Sequence, residues 1–534
     1  MRTIIKYLVL TVFAATLWTA CSEDYLETNP TDKVSGPVIF ADENAAQTTI
    51  DGIYYLLYRA RYVTGNTAHA YGYQSTLLAQ DLMGEDMLLA TNGSGWYLWD
   101  YDLSYTAMIS NNTIGTASRS YGVWNMLYTI ISNVNYIIAE DGKIGSNGNV
   151  AKNIVAQAYA MRAFAYFELI QGFQKTYLGH ENDPGVPVYT EPTRSGDEGK
   201  PRGTVEEVYT QINADIQRAL ELFTEAGKTQ QAHSSYVDYF VAKGFEARIA
   251  LVQGRNQDAY NAAEEARSRL SRKVLQPADL TKGFSDKSLA TTLWAAEVIP
   301  DQSAIYGSLY CHLDTRNPQA YGYGAPKCIS NWLYGQMTKP GLADARLEWF
   351  NPGNTSSTTT VTGPNVNYGQ KKRMARVLSD WVGDFIFMRG EEMLLIAAEA
   401  KARLNQAGDA KTLLLELAGN RQTTAAALTA YTSYLNGLGT AVTLLPANTN
   451  TAPTTVLEEV LLQRRIELWG EIGRVKDILR LKQGYERDYS GSNHTQKLAT
   501  YNSGPESGAF LFKIPQSEFD GNKNILSSEQ NPLN

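Results

Sequence analysis

Two aromatic stretches hold most of the side chains that could do chemistry in this chain. In the first, NGSGWYLWDYDLSYTAMISNN, Trp96, Tyr97, Trp99, Tyr101 and Tyr105 lie beside Asp100, Asp102, Asn111 and Asn112, after a glycine-bearing turn at 92–95. In the second, YGSLYCHLDTRNPQAYGYGAPKCISNWLYGQM, Tyr306, Tyr310, Tyr321, Tyr323, Trp332 and Tyr334 accompany His312, Asp314, Arg316 and Asn317. Flat rings act as apolar plates, and short polar groups at their edges supply hydrogen bonds; together they make a binding surface. This selects Trp96, Trp99, Asp100, Tyr101, Asn111, Tyr306, Arg316, Tyr321 and Tyr323 as candidate ligand contacts. Packing is the competing explanation. Trp96, Tyr97, Trp99 and Tyr101 could alternate along a strand with one face buried, as could Trp332 and Tyr334, whereas packing explains the glycine-flanked Trp96, Tyr321 and Tyr323 less well.

Catalytic patterns are weak by comparison. Asp100 with Asp102 could serve as the carboxylate pair of a glycosidase, but acids two residues apart are also plain hydrogen-bond acceptors. The sequence contains no G-x-S-x-G, H-E-x-x-H, C-x-x-C or P-loop, and its five histidines are scattered. No cofactor is expected, and no loop pattern supports Ca²⁺ at Asp100, Asp102 or Asp314. A second charged cluster, Arg464, Arg465, Glu467, Glu471, Arg474 and Asp477, has three- and four-residue offsets. That spacing predicts helix-surface ion pairs and crosslinks to neighbouring loops that hold the repeats and the C-terminal tail together.

The elements that must position these residues read as helices. In 387–421, Leu394, Leu395, Ala398, Ala402 and Leu404 recur at helical spacing, Gly408 breaks the pattern, and Ala410, Leu413, Leu414 and Leu417 resume it. Residues 239–270 repeat the device around Gly254, with Ala259, Ala263 and Ala266 at the small-residue spacing of a tetratricopeptide-type second helix. These two hairpins are too far apart in sequence to be tandem neighbours. Helices are also predicted over 42–62, over the pair 124–138 and 151–173, from Thr204 through Phe223, and over 456–481 with a break between Gly470 and Gly473. Between 271 and 384 the helical period fades, and the run NPGNTSSTTTVTGPN is too polar to order itself. The fold class is mainly α: tetratricopeptide-like helical repeats with long irregular insertions that carry the function.

Composition narrows the partners. The 534 residues carry a formal charge of −8 and no Lys/Arg cluster able to neutralise a row of phosphates, which argues against nucleic acid. The 33 tyrosines against 15 phenylalanines indicate a demand for aromatic surface with hydroxyl tips. Residues 1–20 read as an export signal, with Arg2 and Lys6 ahead of an apolar run, and Thr19-Ala20 before Cys21 resembles a lipoprotein processing site. Lipidated at Cys21, the protein would be anchored to a membrane it does not cross, with the polar segment 21–36 as a tether. Cys311 and Cys328 remain; they could pair, or be two buried thiols.

Several segments together resemble the SusD/RagB family of Bacteroidetes outer-membrane lipoproteins. Trp124, Tyr128, Ile131 and Asn135 match its W-x3-Y-x2-I-x3-N pattern, and AYAMRAFAYFELI matches its R-A-F-x-Y-F segment. Gln463-Arg464-Arg465-Ile466-Glu467-Leu468 with Glu471, Arg474, Asp477 and Arg480 resembles the family's E-R-R-x-E-L-x-x-E-G-x-R-x-x-D-L-x-R, with Gln463 in place of Glu and Ile472 in place of Gly. Ile514-Pro515, Glu518 and Gln530-Asn531-Pro532 resemble the family terminus. The resemblance implies a single SusD-like domain over 37–534, with helical repeats at about 120–270 and 385–480 and ligand-binding insertions at about 65–115 and 271–384. It also implies a non-enzymatic, lipid-anchored protein at the outer-membrane cell surface. Such a protein captures an oligosaccharide and hands it to a SusC-like TonB-dependent transporter. A sugar presents CH-rich ring faces and a rim of hydroxyls, which the two aromatic stretches would suit. The alternatives are a peptide-binding RagB-like member and a scaffold of the transporter complex that binds no ligand.

Overall fold

A computed structural model describes residues 42–59, 70–90, 96–104, 119–194, 196–228, 233–303, 306–353, 362–443, 450–495 and 506–532. The expected signal segment 1–20, Cys21, the expected tether 21–36 and Asn111 lie outside the described residues, as does part of each insertion.

The frame is a continuous stack of helices. Helix α1 (Glu43–Leu56) is capped by the Asp42 carboxylate and buries Ile50, Ile53 and Tyr54, and α2 (Tyr73–Met83) is buried throughout. Then come α3 (Arg119–Ile138), α4 (Asn149–Phe173) and α5 (Val205–Glu225). At the start of α5, Thr204 Oγ1 accepts from the Glu207 backbone N–H while the Glu207 carboxylate accepts from that of Thr204. This reciprocal cap fixes the helix start that the sequence signals. Next are α6 (Tyr239–Val252), α7 (Asn256–Ser268), α8 (Gly390–Arg403), α9 (Ala407–Ala418), α10 (Ala425–Gly437), α11 (Val456–Glu467) and α12 (Arg474–Leu481).

Each helix from α3 to α9 packs on the next, and this includes α7 on α8. The two hairpins read as too distant to be neighbours are therefore adjacent in space. Ala259, Ala262, Ala263 and Ala266 of α7 and Ala397 and Ala400 of α8 are fully or almost fully buried, and small side chains let two helix axes approach closely. The insertion leaves the stack after α7 and returns at α8 without breaking it. The break inside the second hairpin also differs from expectation. It falls at 404–406, where Asn405 adopts φ 59°, and Gly408 sits inside the first turn of α9.

Two small antiparallel ladders fasten the insertions. Strand β1 (Met87–Leu89) pairs with β3 (Lys327–Ile329), joining the two insertions to each other. Strand β2 (Thr292–Ala296) pairs with β4 (Phe385–Arg389), bringing the second insertion back to the stack. Trp294 then lies against Phe387, Phe164 and Phe245, with its indole N–H donating to the Ser235 carbonyl.

The charged cluster is buried, not on a helix surface. Glu467 accepts from Arg421 (Nε 2.9 Å, Nη2 2.8 Å), Arg389 (Nη1 2.9 Å) and Arg346 (Nη1 3.3 Å). Glu471 takes Arg389 and Lys372, while Arg465 and Arg474 reach Glu85 and Asp86 beside β1. Arg480 bonds Glu399 of α8. Most partners are remote in sequence, so this is a tertiary knot; the expected crosslinks to neighbouring loops form, at Arg346 and at Glu85 and Asp86. The C-terminal tail is held elsewhere. Arg202 donates to the Glu529 carbonyl, and Asn531 Nδ2 donates to the carbonyls of Phe173 and Phe512.

Burial alone would raise the carboxyl pKa values, but the guanidinium groups outweigh it. Arg480 and Arg403 hold Glu399 down to about 2, Arg389 and Lys372 hold Glu471 down to about 2, and Arg421 and Arg389 hold Glu467 well below its ordinary range. Groups with depressed folded pKa values stabilise the fold above their unfolded value of 4.5, and lose that contribution as pH falls toward about 2. Thermal denaturation measured across that window should show a steep acid loss of melting temperature. At neutral pH, Glu467→Ala, which strands buried guanidinium groups, should cost about 3–5 kcal/mol. Glu140→Gln at the exposed Lys143 pair should cost under about 1 kcal/mol. Equal effects of the two substitutions would contradict the knot.

Candidate functional site

The first insertion presents its rings on a short helical turn, Leu98–Tyr101, and not on a strand. Tyr97 enters the turn with φ 76°, in the left-handed region, and is buried with its hydroxyl donating to that of Tyr71 at 2.5 Å. Trp96 is half-buried, and Trp99 is 48% exposed. The second insertion contributes two more short turns, Leu309–Leu313 and Tyr321–Gly324. They meet at Gly322, where a Cβ would sit 2.6 Å from the Asp314 carbonyl oxygen, so glycine permits the approach.

These segments assemble a file of rings. Trp96 lies 5.2 Å from Tyr321 between centroids, Tyr321 lies 5.5 Å from Tyr306, and Tyr306 lies 5.8 Å from Trp381. Tyr306 is 43% exposed, and Tyr321 is half-buried. Behind them the buried His312 ring lies 5.1 Å from Tyr321 and 6.4 Å from Trp96, and stacks on Tyr71 at 5.4 Å. Ser308 Oγ donates to the Trp381 carbonyl at 2.8 Å, tying the end of the file to its middle. The outer rings are thus backed by packed rings and cannot collapse inward. A surface of this kind can stack against flat apolar faces of a ligand, while the Tyr hydroxyls offer hydrogen bonds.

Three of the predicted contacts, Trp96, Tyr306 and Tyr321, are brought together. The others separate. Asp100 and Tyr101 are interior, which corrects the expectation that they touch ligand. Asp100 takes Arg119 Nε and Nη2, each at 3.1 Å; burial raises its pKa and Arg119 opposes that rise. Its carboxylate is therefore not half of an exposed acid pair, while Asp102 accepts from the Ser104 backbone N–H. Tyr101 is 0% exposed, its hydroxyl 3.0 Å from His494 Nδ1 and its ring under the Arg487 guanidinium at 4.4 Å. Arg316 is spent on Asp314 (Nη2 to Oδ2, 2.6 Å) and the Ala375 carbonyl, although 42% of its side chain stays exposed. Tyr323, two residues from Tyr321 on the same turn, faces the loop at Gly363, whose N–H donates to the Tyr323 carbonyl.

Sequence reasoning missed Tyr71 and Trp381; Tyr71 lies in Tyr71-Gly72-Tyr73, the same glycine-flanked pattern as Tyr321-Gly322-Tyr323, whereas no aromatic adjoins Trp381. Trp332 and Tyr334 lie on a helical turn, Asn331–Met337, and Arg465 covers the Trp332 ring at 5.0 Å. Cys311 and Cys328 are both free and buried, and burial pushes their thiols up to about 11 and about 12. Among the described residues no group of three His, Cys, Asp or Glu is placed to hold a metal, and no helix is long and apolar enough to cross a membrane.

Comparison with known proteins gives a consistent relationship. Residues 76–251 match a SusD-like family profile described as starch-binding and associating with the outer membrane, and residues 351–533 match the SusD family profile. A SusD-like protein P38 from Formosa agariphila is 32% identical over 114 residues, 21% of this chain; the match spans only 20% of that protein. Among solved structures, a SusD-like carbohydrate binding protein from Bacteroides vulgatus superposes with TM-score 0.72 at 23% identity, covering 92% of this chain and 99% of the other. A laminarin-binding SusD-like protein superposes with TM-score 0.62 at 18% identity, covering 92% and 100%.

The two halves of the first aromatic stretch should respond differently to mutation. Asp100→Ala leaves Arg119 buried without its carboxylate and should cost about 3–5 kcal/mol. Trp99→Ala on the surface should stay within about 0.5 kcal/mol. Chemical denaturation reads both, and a large loss from Trp99→Ala would show that its ring is structural.

Proposed function

The chain belongs to the SusD/RagB family, and from that membership we propose that it is a glycan-binding lipoprotein of the outer-membrane cell surface, capturing an oligosaccharide on the file of Trp96, Tyr321 and Tyr306. The observation that carries this reading is the file itself: three accessible rings from two separate insertions, backed by His312, Tyr71 and Trp381. A row of tilted plates fits successive sugar units of a curved chain better than one planar ligand. Relatives described as starch-binding, for the family, and laminarin-binding, for one structural neighbour, support a carbohydrate as the ligand class.

In this reading Cys21 carries the lipid, and the captured glycan passes unaltered to a SusC-like TonB-dependent transporter. The family's members are binding proteins, and the burial of Asp100 against Arg119 removes the carboxylate pair that a glycosidase would need there. With each stacked ring contributing about 1 kcal/mol beyond area burial, affinity falls between about μM and mM, which suits a carrier that must release its cargo. A peptide ligand, as in a RagB-like member, is the second reading, since tyrosine-rich surfaces also bind peptides.

Calorimetry on the soluble form beginning at Ser22, against panels of polysaccharides and peptides, tests both. Trp96→Ala with Tyr321→Ala should weaken glycan binding by at least about tenfold while the protein keeps a cooperative unfolding transition and native far-UV circular dichroism. Undiminished affinity in that variant would contradict the site, and binding of peptides alone would replace the ligand class.

A further inference from the structure

A second concave surface lies on the helical frame, where the α3 face meets residues 189–194, residues 197–199 and the C-terminal turn Gln516–Gly521. Its volume is about 490 Å³, within the range of small-ligand sites. Trp124 forms part of its floor, held by its indole N–H donating to Glu518 Oε2 at 3.2 Å and packed 4.8 Å from Tyr128. Tyr128 donates to the Pro187 carbonyl at 2.8 Å and lies 6.0 Å from Tyr189, so the aromatic wall is fixed from both sides.

The face of α3 is unusual for a helix with a solvent side. From Ser120 to Ile138 it carries no charged residue, and its partly or fully exposed positions are Tyr121, Asn125, Tyr128, Thr129, Ser132, Asn133, Tyr136 and Ile138. Surface helices ordinarily carry Lys, Arg or Glu there, as α5 does with Glu206, Glu207, Arg218 and Glu221. Hydroxyls, amides and ring edges around a concave aromatic floor, with Asp197 and Glu198 at the rim as acceptors, match the needs of a polyhydroxylated ligand. A tyrosine-rich, charge-poor face is also what a protein–protein contact presents; the concave, hydroxyl- and amide-lined shape is what favours a small polar ligand here.

We propose that this groove is a second saccharide subsite, separate from the ring file, which lets one molecule hold a polysaccharide at two points. It rests on the glycan reading above. The affinity gain is that of a linked second contact, and it appears only with chains long enough to span both.

The test uses the soluble protein from Ser22 and the polysaccharide it binds best from a panel of laminarin, starch and mannan, with short and long fragments of that polymer. Ser132→Trp fills the groove, and Asn133→Ala removes an exposed amide without touching the core. In a Trp96→Ala/Tyr321→Ala background, residual binding should persist and fall by a further factor of about ten on adding Ser132→Trp, with a smaller loss on adding Asn133→Ala. In the otherwise wild-type protein, Ser132→Trp should weaken long chains and leave short fragments unaffected. Residual binding indifferent to both groove variants, or absent once the ring file is disabled, overturns the second subsite and leaves the proposed function standing. Unchanged glycan affinity together with lost co-purification of a transporter would make the groove a protein-docking surface and equally overturn the proposal. Failure of the wild type to bind any glycan removes both readings.

Discussion

One buried carboxylate holds the architecture together. Glu467 at the end of α11 accepts from arginines that arrive from three directions: Arg421 after α9, Arg389 at the end of β4, and Arg346 in the second insertion. Left unpaired in the interior, any of these charges would cost several kcal/mol. The sequence therefore commits the repeat stack and the insertion to one relative placement. Arg465 and Arg474 extend the same constraint to Glu85 and Asp86, which lie at the root of the first insertion. Hydrophobic burial supplies most of the stabilisation, but it is non-directional; the ionic knot sets which insertion residue meets which helix.

That placement is what the aromatic site needs. Trp96 belongs to one insertion and Tyr306, Tyr321 and Trp381 to another, and no local rule of either segment puts them side by side. The β1–β3 ladder and the knot do so from below, and the packed His312 and Tyr71 keep the outer rings at a fixed height. Binding then requires little ordering of the protein, which matters when each stacking contact contributes only about 1 kcal/mol. Membership of the SusD/RagB family and an accessible row of rings are what support the proposed glycan-binding role.

Local signals in the chain were reliable where the physics is local. The helix start at Thr204, the alanine-rich hairpin faces and the resumption of α12 after Gly473 could all be read from residue type and spacing, although α11 ends at Glu467, before the Gly470 expected. Reasoning failed where tertiary contacts decide. Gly408 looked like the helix break, yet a helix tolerates glycine in its first turn, and the chain turns at Asn405 instead. Alternating rings over 96–101 fit a strand as well as a single helical turn, and only the structure distinguishes Trp99 outside from Tyr101 inside. Asp100 and Arg316 looked like ligand contacts because a charge beside aromatic rings reads the same whether it faces solvent or a buried partner. The charged run of α11 and α12 was expected to crosslink neighbouring loops, and it does, but its burial and the identity of its partners escaped the reading because offsets of three and four residues say nothing about residues about 80 or about 380 positions away.

A crystal structure of the protein beginning at Ser22, grown with the oligosaccharide it binds most tightly, is the most direct measurement. Sugar rings should lie against Trp96, Tyr321 and Tyr306, with the knot around Glu467 unchanged from the free protein. A ligand bound elsewhere with those three rings bare, or bound only after they have moved out of their row, would contradict the account.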